Sequence, residues 1–323
     1  SFPTRRSSDL VTWAGNYTTL KTGTADDTIT SAANFFGSNA PKTVDGGAGT
    51  DTLIIVESLS NLDSNTTGTS HSVTGIETIQ VSSDVLLAAT ADIDLSYAAD
   101  KVAGITTLTL EGTNFDSADT EADGEDLNFT VTGLTTENIE IATHLGASVD
   151  SLSDNVVSLK LKDDTGAADV INVTSKNVTD KTNNFMLTVD RLSTAANNLV
   201  ETLNLTASDG TSSTTTADGT LVESLTADYT DNVNILGASD LTITTFEGRN
   251  SKATIDASAF TGNLTLGAAA AGYKTTAGDN YAIKLGSGTN NVHFVAEALT
   301  KDSVTGSTGT DTVWIREGAA DLK

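Results

Sequence analysis

Cysteine is absent from this chain of 323 residues. That excludes disulfides, thiol catalysis and thiolate metal sites, so other devices must hold the protein together. Proline is nearly absent as well, with two residues, and aromatics make up only 5%. A core with so few rings must be built from Val, Ile, Leu and Ala. Basic residues are scarce: 17 Lys and Arg stand against 43 acidic residues, for a formal charge of -26. A surface of that sign disfavours nucleic acid, whose phosphates need Lys and Arg, and disfavours an anionic membrane. Long apolar runs are missing too. Leu53 to Val56 is typical, and far too short to insert in a bilayer.

The chemistry of catalysis is equally thin. His71, His144 and His293 lie far apart and read as surface histidines rather than zinc ligands. No nucleophile elbow, phosphate loop or dinucleotide fingerprint occurs. Carboxylates abound, but abundance alone does not make a glycosidase pair, and Arg and Lys are too few to handle uronate substrates. The expectation is a protein that is not an enzyme, with a carbohydrate-active β-helix enzyme as a third reading.

What the sequence does have is glycine, threonine and aspartate in a pattern. Gly46-Gly47-Ala48-Gly49-Thr50-Asp51-Thr52-Leu53-Ile54 fits the calcium-binding nonapeptide at every fixed position: three glycines, an aspartate, an apolar residue. The glycines let the backbone curl so that carbonyl oxygens converge, and Asp51 adds a hard anionic oxygen suited to Ca2+. The alternative is a Gly/Asp-rich turn with no metal. Looser copies occur at Gly306 to Trp314, with Asp311; at Leu285 to His293, with Asn290 in the aspartate's place; and at Thr22 to Ile29, with Asp27. They form two pairs, one near each end, and each turn must borrow ligands from a neighbouring coil. The candidate metal residues are Asp27, Gly46, Gly47, Gly49, Asp51, Asn290, Gly306 and Asp311.

Between the pairs a second unit recurs: an apolar residue, Glu, Thr or Ser, then alternating apolar positions. It reads Ile76-Glu77-Thr78-Ile79, Val200-Glu201-Thr202-Leu203 and Val222-Glu223-Ser224-Leu225. Looser versions start at Ile105, Val156, Asp240 and Asn263. Period-two alternation in Thr, Val, Ile and Leu predicts strands, and spacings of roughly 20 to 30 residues fit stacked repeats. The expected fold is all-β: an elongated right-handed parallel β-helix or β-solenoid with Gly/Asp turns. Tandem antiparallel β-sandwich domains are the alternative, favoured by the irregular spacing. Glu77, Glu201 and Glu223 are expected to share one slot, either solvent-facing or stacked around a cation. Ala88 to Asp94 and Ala98 to Ala103 read as short helical turns or loops, and Asp209 to Gly219 and Gly112 to Gly124 as exposed loops. Seven Asn-x-Ser/Thr sequons, Asn172 among them, arise readily by chance in such a composition.

The expected organisation is a tail at 1–10, a calcium-turn segment at 11–56, a strand-repeat body at 57–284 and a second calcium-turn segment at 285–323. The basic tail is either disordered or non-native; Phe2 to Leu10 resembles a translated sequencing adapter. Taken together, the Gly46 to Leu53 turn, the Gly75-Ile76-Glu77-Thr78-Ile79 and Val200 to Thr206 kernels and the Thr/Ala/Gly/Asp-rich body resemble bacterial surface-layer proteins and related RTX-type proteins. That resemblance implies type I secretion, folding on external calcium, an extracellular or cell-surface location, and self-association into a lattice. A repeat segment of a large RTX adhesin that binds cell-surface glycans is the alternative.

Overall fold

A computed structural model describes residues 10–13, 19–31, 43–56, 72–83, 93–98, 106–112, 127–135, 137–143, 156–177, 183–192, 199–209, 220–249, 253–267, 280–295 and 302–316. Every regular element among them is a β-strand. The chain divides into two compact units, Ser1–Asp150 and Ser151–Lys323.

The first unit contains β1 (Leu10–Trp13), β2 (Thr19–Lys21), β3 (Thr28–Ser31), β4 (Thr43–Asp45), β5 (Thr52–Val56) and β6 (Ser72–Thr74). It continues with β7 (Thr78–Ser83), β8 (Ile93–Ala98), β9 (Thr107–Gly112), β10 (Leu127–Leu134) and β11 (Asn138–Thr143). Odd-numbered strands stack in the order β1-β3-β5-β7-β9-β11, and even-numbered ones as β2-β4-β6 and β8-β10, with all described pairings parallel. The second unit contains β12 (Val156–Leu161), β13 (Val170–Asn177), β14 (Asn183–Asp190), β15 (Thr202–Asp209), β16 (Thr220–Ala227), β17 (Asn232–Gly237) and β18 (Leu241–Gly248). It ends with β19 (Thr254–Asp256), β20 (Leu264–Leu266), β21 (Ala282–Lys284), β22 (Thr289–Val295), β23 (Ser303–Thr305) and β24 (Thr310–Arg316). Here β13 to β23 stack by odd number and β12 to β24 by even number, again in parallel.

Each unit thus has the strand arrangement of a β-solenoid: one coil contributes a strand to one sheet, turns a corner, and contributes the next strand to another. Antiparallel sandwiches have no counterpart among the described pairings. Uneven spacing, which spoke for sandwiches, is absorbed here by strand length: β9 and β10 have 6 and 8 residues where β3 and β4 have 4 and 3. Partners in adjacent strands lie 24 residues apart at Thr28↔Thr52 but 31 apart at Thr107↔Asn138, while the ladder stays in register. Ile93, Asp94 and Ala98, expected in helical turns or loops, belong instead to the strand β8 (Ile93–Ala98); the rest of those two stretches lies outside the described residues. Of the expected loops at 112–124 and 209–219, Gly112 and Asp209 instead close β9 and β15, and the remainder lies outside the described residues, as do residues 1–9 of the tail; Leu10 opens β1.

Period-two alternation explains the interior. In the first unit Ile29, Leu53, Ile79, Leu108 and Ile139 pair in register and are each at most 1% exposed. In the second, Ile171, Leu203, Val233, Ile255 and Ile283 form the same kind of column. Each such side chain stabilises by about 1.5–3 kcal/mol when buried. Aromatics also enter the core: Phe185, Phe246, Phe260 and Phe294 are fully buried. The outward positions carry polar ladders. Asn234 Nδ2 donates to Asn204 Oδ1 and Asn204 Nδ2 to Asn172 Oδ1, both at 2.8 Å, so the Asn172 sequon sits in a hydrogen-bonded stack. Lys284 pairs with Asp256 at 2.7 Å across neighbouring coils.

Candidate cation-binding corners

The corners are built from a residue that immediately precedes each odd-numbered strand. Before β3, β5, β7 and β11 this residue is Asp27, Asp51, Glu77 and Glu137. Before β13, β15, β17 and β23 it is Asp169, Glu201, Asp231 and Asp302. Its carbonyl accepts the N–H that opens the strand one coil on: Thr52 to Asp27, Thr78 to Asp51, Thr107 to Glu77, Thr202 to Asp169, Asn232 to Glu201. In several of them the carboxylate reaches back one coil, while Glu137 takes the Thr135 N–H of its own turn. Asp51 Oδ1 accepts Asp27 N–H at 2.8 Å, Glu77 Oε2 accepts Asp51 N–H at 2.8 Å, and Glu201 Oε2 accepts Asp169 N–H at 2.8 Å. The acid therefore satisfies a backbone donor that the ladder leaves over at the bend, which is the reason a charged residue tolerates this position.

This entry position thus holds the nonapeptide residues Asp27 and Asp51 as well as kernel glutamates. Glu77 takes it in the first unit and Glu201 in the second, as expected of a shared slot. Glu223 does not: it lies within β16, where pairing with β14 slips register, because an apolar-Glu-Ser-apolar run has the same local pattern in an even-numbered strand. Asp169 was not singled out by sequence. Its signal is the acid two residues before the buried Ile171, the spacing of Asp51 to Leu53.

The four Gly/Asp turns fall on two kinds of corner. Gly46 to Thr50 joins β4 to β5, so Asp27 and Asp51 stand at the entry to odd-numbered strands. Leu285 to Gly288 joins β21 to β22 and Gly306 to Gly309 joins β23 to β24, so Asn290 and Asp311 are paired residues inside even-numbered strands. Glycine has the same purpose at both. Gly47 has φ +94, and a Cβ there would overlap Gly23 O of the adjacent coil; a Cβ on Gly309 would overlap Gly288 O. Gly46, Gly49 and Gly286 are likewise closed to a side chain by backbone oxygens, whereas a Cβ on Gly306 would press on Asp311 Oδ2. Close approach of stacked coils accounts for these glycines.

In three of the turns the acid or amide is well supplied with partners. Gly23 N–H donates to Asp27 Oδ2 at 3.1 Å and Ser307 N–H to Asp311 Oδ2 at 2.8 Å, each from the residue four before the aspartate. Asn290 Nδ2 faces Gly286 O at 2.8 Å, Gly288 O at 3.2 Å and Asp311 Oδ1 at 2.7 Å. Asp51 differs. It is 0% exposed, and its Oδ2 has no hydrogen-bond partner. The corresponding donor, Gly47 N–H, does not reach it. Burial above all, and then the charges of Asp27, Glu77 and Asp26, push the Asp51 carboxyl above its ordinary pKa. Asp169 is pushed up in the same sense by burial and by Glu201, Asp163 and Asp164, but its Oδ2 accepts Gly166 N–H at 2.9 Å.

A buried carboxylate oxygen without a donor, among like charges, is a strongly unfavourable arrangement unless a proton or a cation joins it. The Asp51 corner therefore fits a cation. Among the described residues, no group of three or more Asp, Glu or His side chains is placed to hold a metal by itself. His293, expected at the surface, is 7% exposed and stacks on Trp314 at 6.1 Å between centroids; an outer aromatic covers a position that alternation alone leaves open. His71 and His144 lie outside the described residues. Among the described residues no helix is long and apolar enough to cross a membrane. No protein-family model, no curated protein and no solved structure matches this chain.

Proposed function

We propose that this chain is a structural segment of a cell-surface protein, a β-solenoid whose acidic corners are stabilised by calcium outside the cell and whose outer faces associate with copies of itself in a surface-layer-like lattice. The observation that carries the reading is the orphaned Asp51 Oδ2, buried in a turn with the full nonapeptide pattern and flanked by Asp27 and Glu77. Asp51 would anchor the ion, and backbone carbonyls of the Gly46 to Gly49 turn and water would complete an oxygen shell of the kind calcium takes. Bound calcium supplies the positive pole that the stacked carboxylates lack. The acidic, cysteine-free composition supports the same reading, since a chain without disulfides gains its staples from the medium. Export by type I secretion belongs to this proposal, through the resemblance of the turns to RTX repeats.

Thermal melts in chelator and in millimolar calcium test the cation. The midpoint should rise with calcium, and Asp51→Ala should remove more of that rise than Glu201→Ala. Equal midpoints with and without calcium would defeat it. Electron microscopy in calcium tests the assembly: ordered sheets support a lattice, and isolated rods favour a passive segment of an adhesin.

A further inference from the structure

The second pair of turns differs from the first in a way that the calcium reading does not absorb. Three oxygens converge at the Gly286 corner: two turn carbonyls, Gly286 O and Gly288 O, and one carboxylate oxygen of the next coil, Asp311 Oδ1. Carbonyls of one turn plus a carboxylate from a neighbouring coil are the ligand types expected of a calcium corner. The point they converge on is filled by Asn290 Nδ2, at 2.7 to 3.2 Å from all three. Asn290 is 0% exposed. Its orientation is fixed by the network, because the reversed amide would aim an oxygen at three oxygens. Its own Oδ1, turned away, is buried without a partner, an unfavourable contact tolerated in exchange for the three made by the nitrogen. Asp311 has its second oxygen on Ser307 N–H, and the Ser307 hydroxyl donates to Gly286 O, so the corner is closed from the adjacent coil as well.

We infer that Asn290 is a built-in replacement for a cation: its side-chain amide nitrogen permanently supplies the positive pole on which Gly286 O, Gly288 O and Asp311 Oδ1 converge, so this corner excludes metal and is indifferent to calcium. The inference rests on the reading of such corners as cation sites, and it divides them. The Asp51 corner responds to calcium and the Asn290 corner does not. The partial charge of an amide N–H suffices here because only one carboxylate faces it, whereas Asp51 lies among three other acids. The chain thus keeps one stack that is set before any ion is bound and another that is set by the medium.

The test uses the whole chain. Asp51→Asn serves as the background, so that the first corner is silent. In it, calcium should leave the midpoint within about 1 °C of its value in chelator. Adding Asn290→Asp should lower the midpoint in chelator by at least ~3 °C, and millimolar calcium should restore it. Asn290→Ala should lower it equally in chelator and in calcium. An Asn290→Asp chain as stable in chelator as its parent overturns the inference, as does a calcium response that survives Asp51→Asn and disappears with Asn290→Ala. If Asn290→Asp does not fold, the wild type still decides. The Asn290 side-chain amide protons, followed by NMR with labelled asparagine, should exchange with solvent at least 100-fold more slowly than exposed asparagine amides; exchange at the solvent rate overturns the inference. A wild type indifferent to calcium, together with a response created by Asn290→Asp, sustains this inference and defeats the reading of Asp51.

Discussion

The corner at Asp51 and the corner at Asn290 are close in sequence pattern and opposite in electrostatics. Both bring a Gly-rich turn against its neighbour, and both bury the residue in the sixth position completely. At Asn290 the surrounding oxygens meet an N–H donor. At Asp51 one oxygen meets nothing, and the nearest charges are acids. Stacking parallel coils forces carbonyls and acidic side chains together at the bends, and each bend needs a positive pole. Two ways of providing one are visible, a backbone N–H, as Asp27 gives Asp51 Oδ1, and a side-chain amide, as at Asn290; an ion from solution is the third that the proposal adds.

The comparison can be broken most forcefully through what the two corners share. Gly47→Ala places a Cβ at positive φ against Gly23 O and should cost about 2–4 kcal/mol. Gly288→Ala meets Gly262 O without that strain and should cost about 1–3 kcal/mol. Chemical denaturation measures both: the loss at Gly47 should grow in calcium, because it distorts the turn proposed to hold the ion, whereas the loss at Gly288 should be the same with and without calcium; a calcium-dependent loss at Gly288 would count against the division of the corners. Next comes Asp51→Asn, which removes a buried charge. It should raise stability in chelator by about 1–3 kcal/mol and abolish the gain from calcium.

A smaller effect lies in pH. The folded pKa of Asp51 is raised, so folding favours its protonated form. The stability this contributes is complete below the unfolded value of about 3.9 and is lost as pH rises through the folded pKa. In chelator, acidification from pH 7 should therefore raise the wild-type midpoint relative to Asp51→Asn; in calcium the difference should vanish. Asp256 behaves oppositely. A hydrogen bond from Lys284, and then Ser258, holds its pKa at about 2, so its contribution is present above the unfolded value of about 3.9 and is lost as pH falls from there through the folded pKa. The smallest effect is Lys284→Ala. Its pair with Asp256 is half exposed and should be worth about 0–1 kcal/mol, declining with salt.

Much of the fold was legible. The alternation that marked Thr28 to Ser31 and Thr52 onward as strands is the alternation that buries Ile29 and Leu53, because side chains on a strand necessarily point to opposite faces. Parallel stacking followed from repeats that could not bury an apolar face alone. Glu223 was misplaced because an even-numbered strand repeats the local pattern of an odd-numbered one, and sequence spacing does not say to which sheet a strand belongs. Asp169 escaped notice because the one glycine of its turn, Gly166, falls outside the glycine positions of the nonapeptide, although its carboxylate takes the Gly166 N–H and its own N–H is capped by Glu201. His293 was placed outside by its polarity and is covered by Trp314 from the next coil.

The sequence by itself determined that the chain folds as stacked parallel strands with bends at its Gly/Asp turns, since alternation, β-branched side chains and glycine act over a few neighbouring residues. Only the tertiary structure decided which acids share a column and which turn lacks a donor. Asp27 meets Asp51 across 24 residues and Asn290 meets Asp311 across 21, contacts set by how much chain each coil spends in its strands and corners. One aspartate and one asparagine in equivalent places in the motif thus have opposite needs, because Asn290 meets two carbonyls of its own turn and one carboxylate of the next coil, whereas Asp51 stands among acids of the coils on either side.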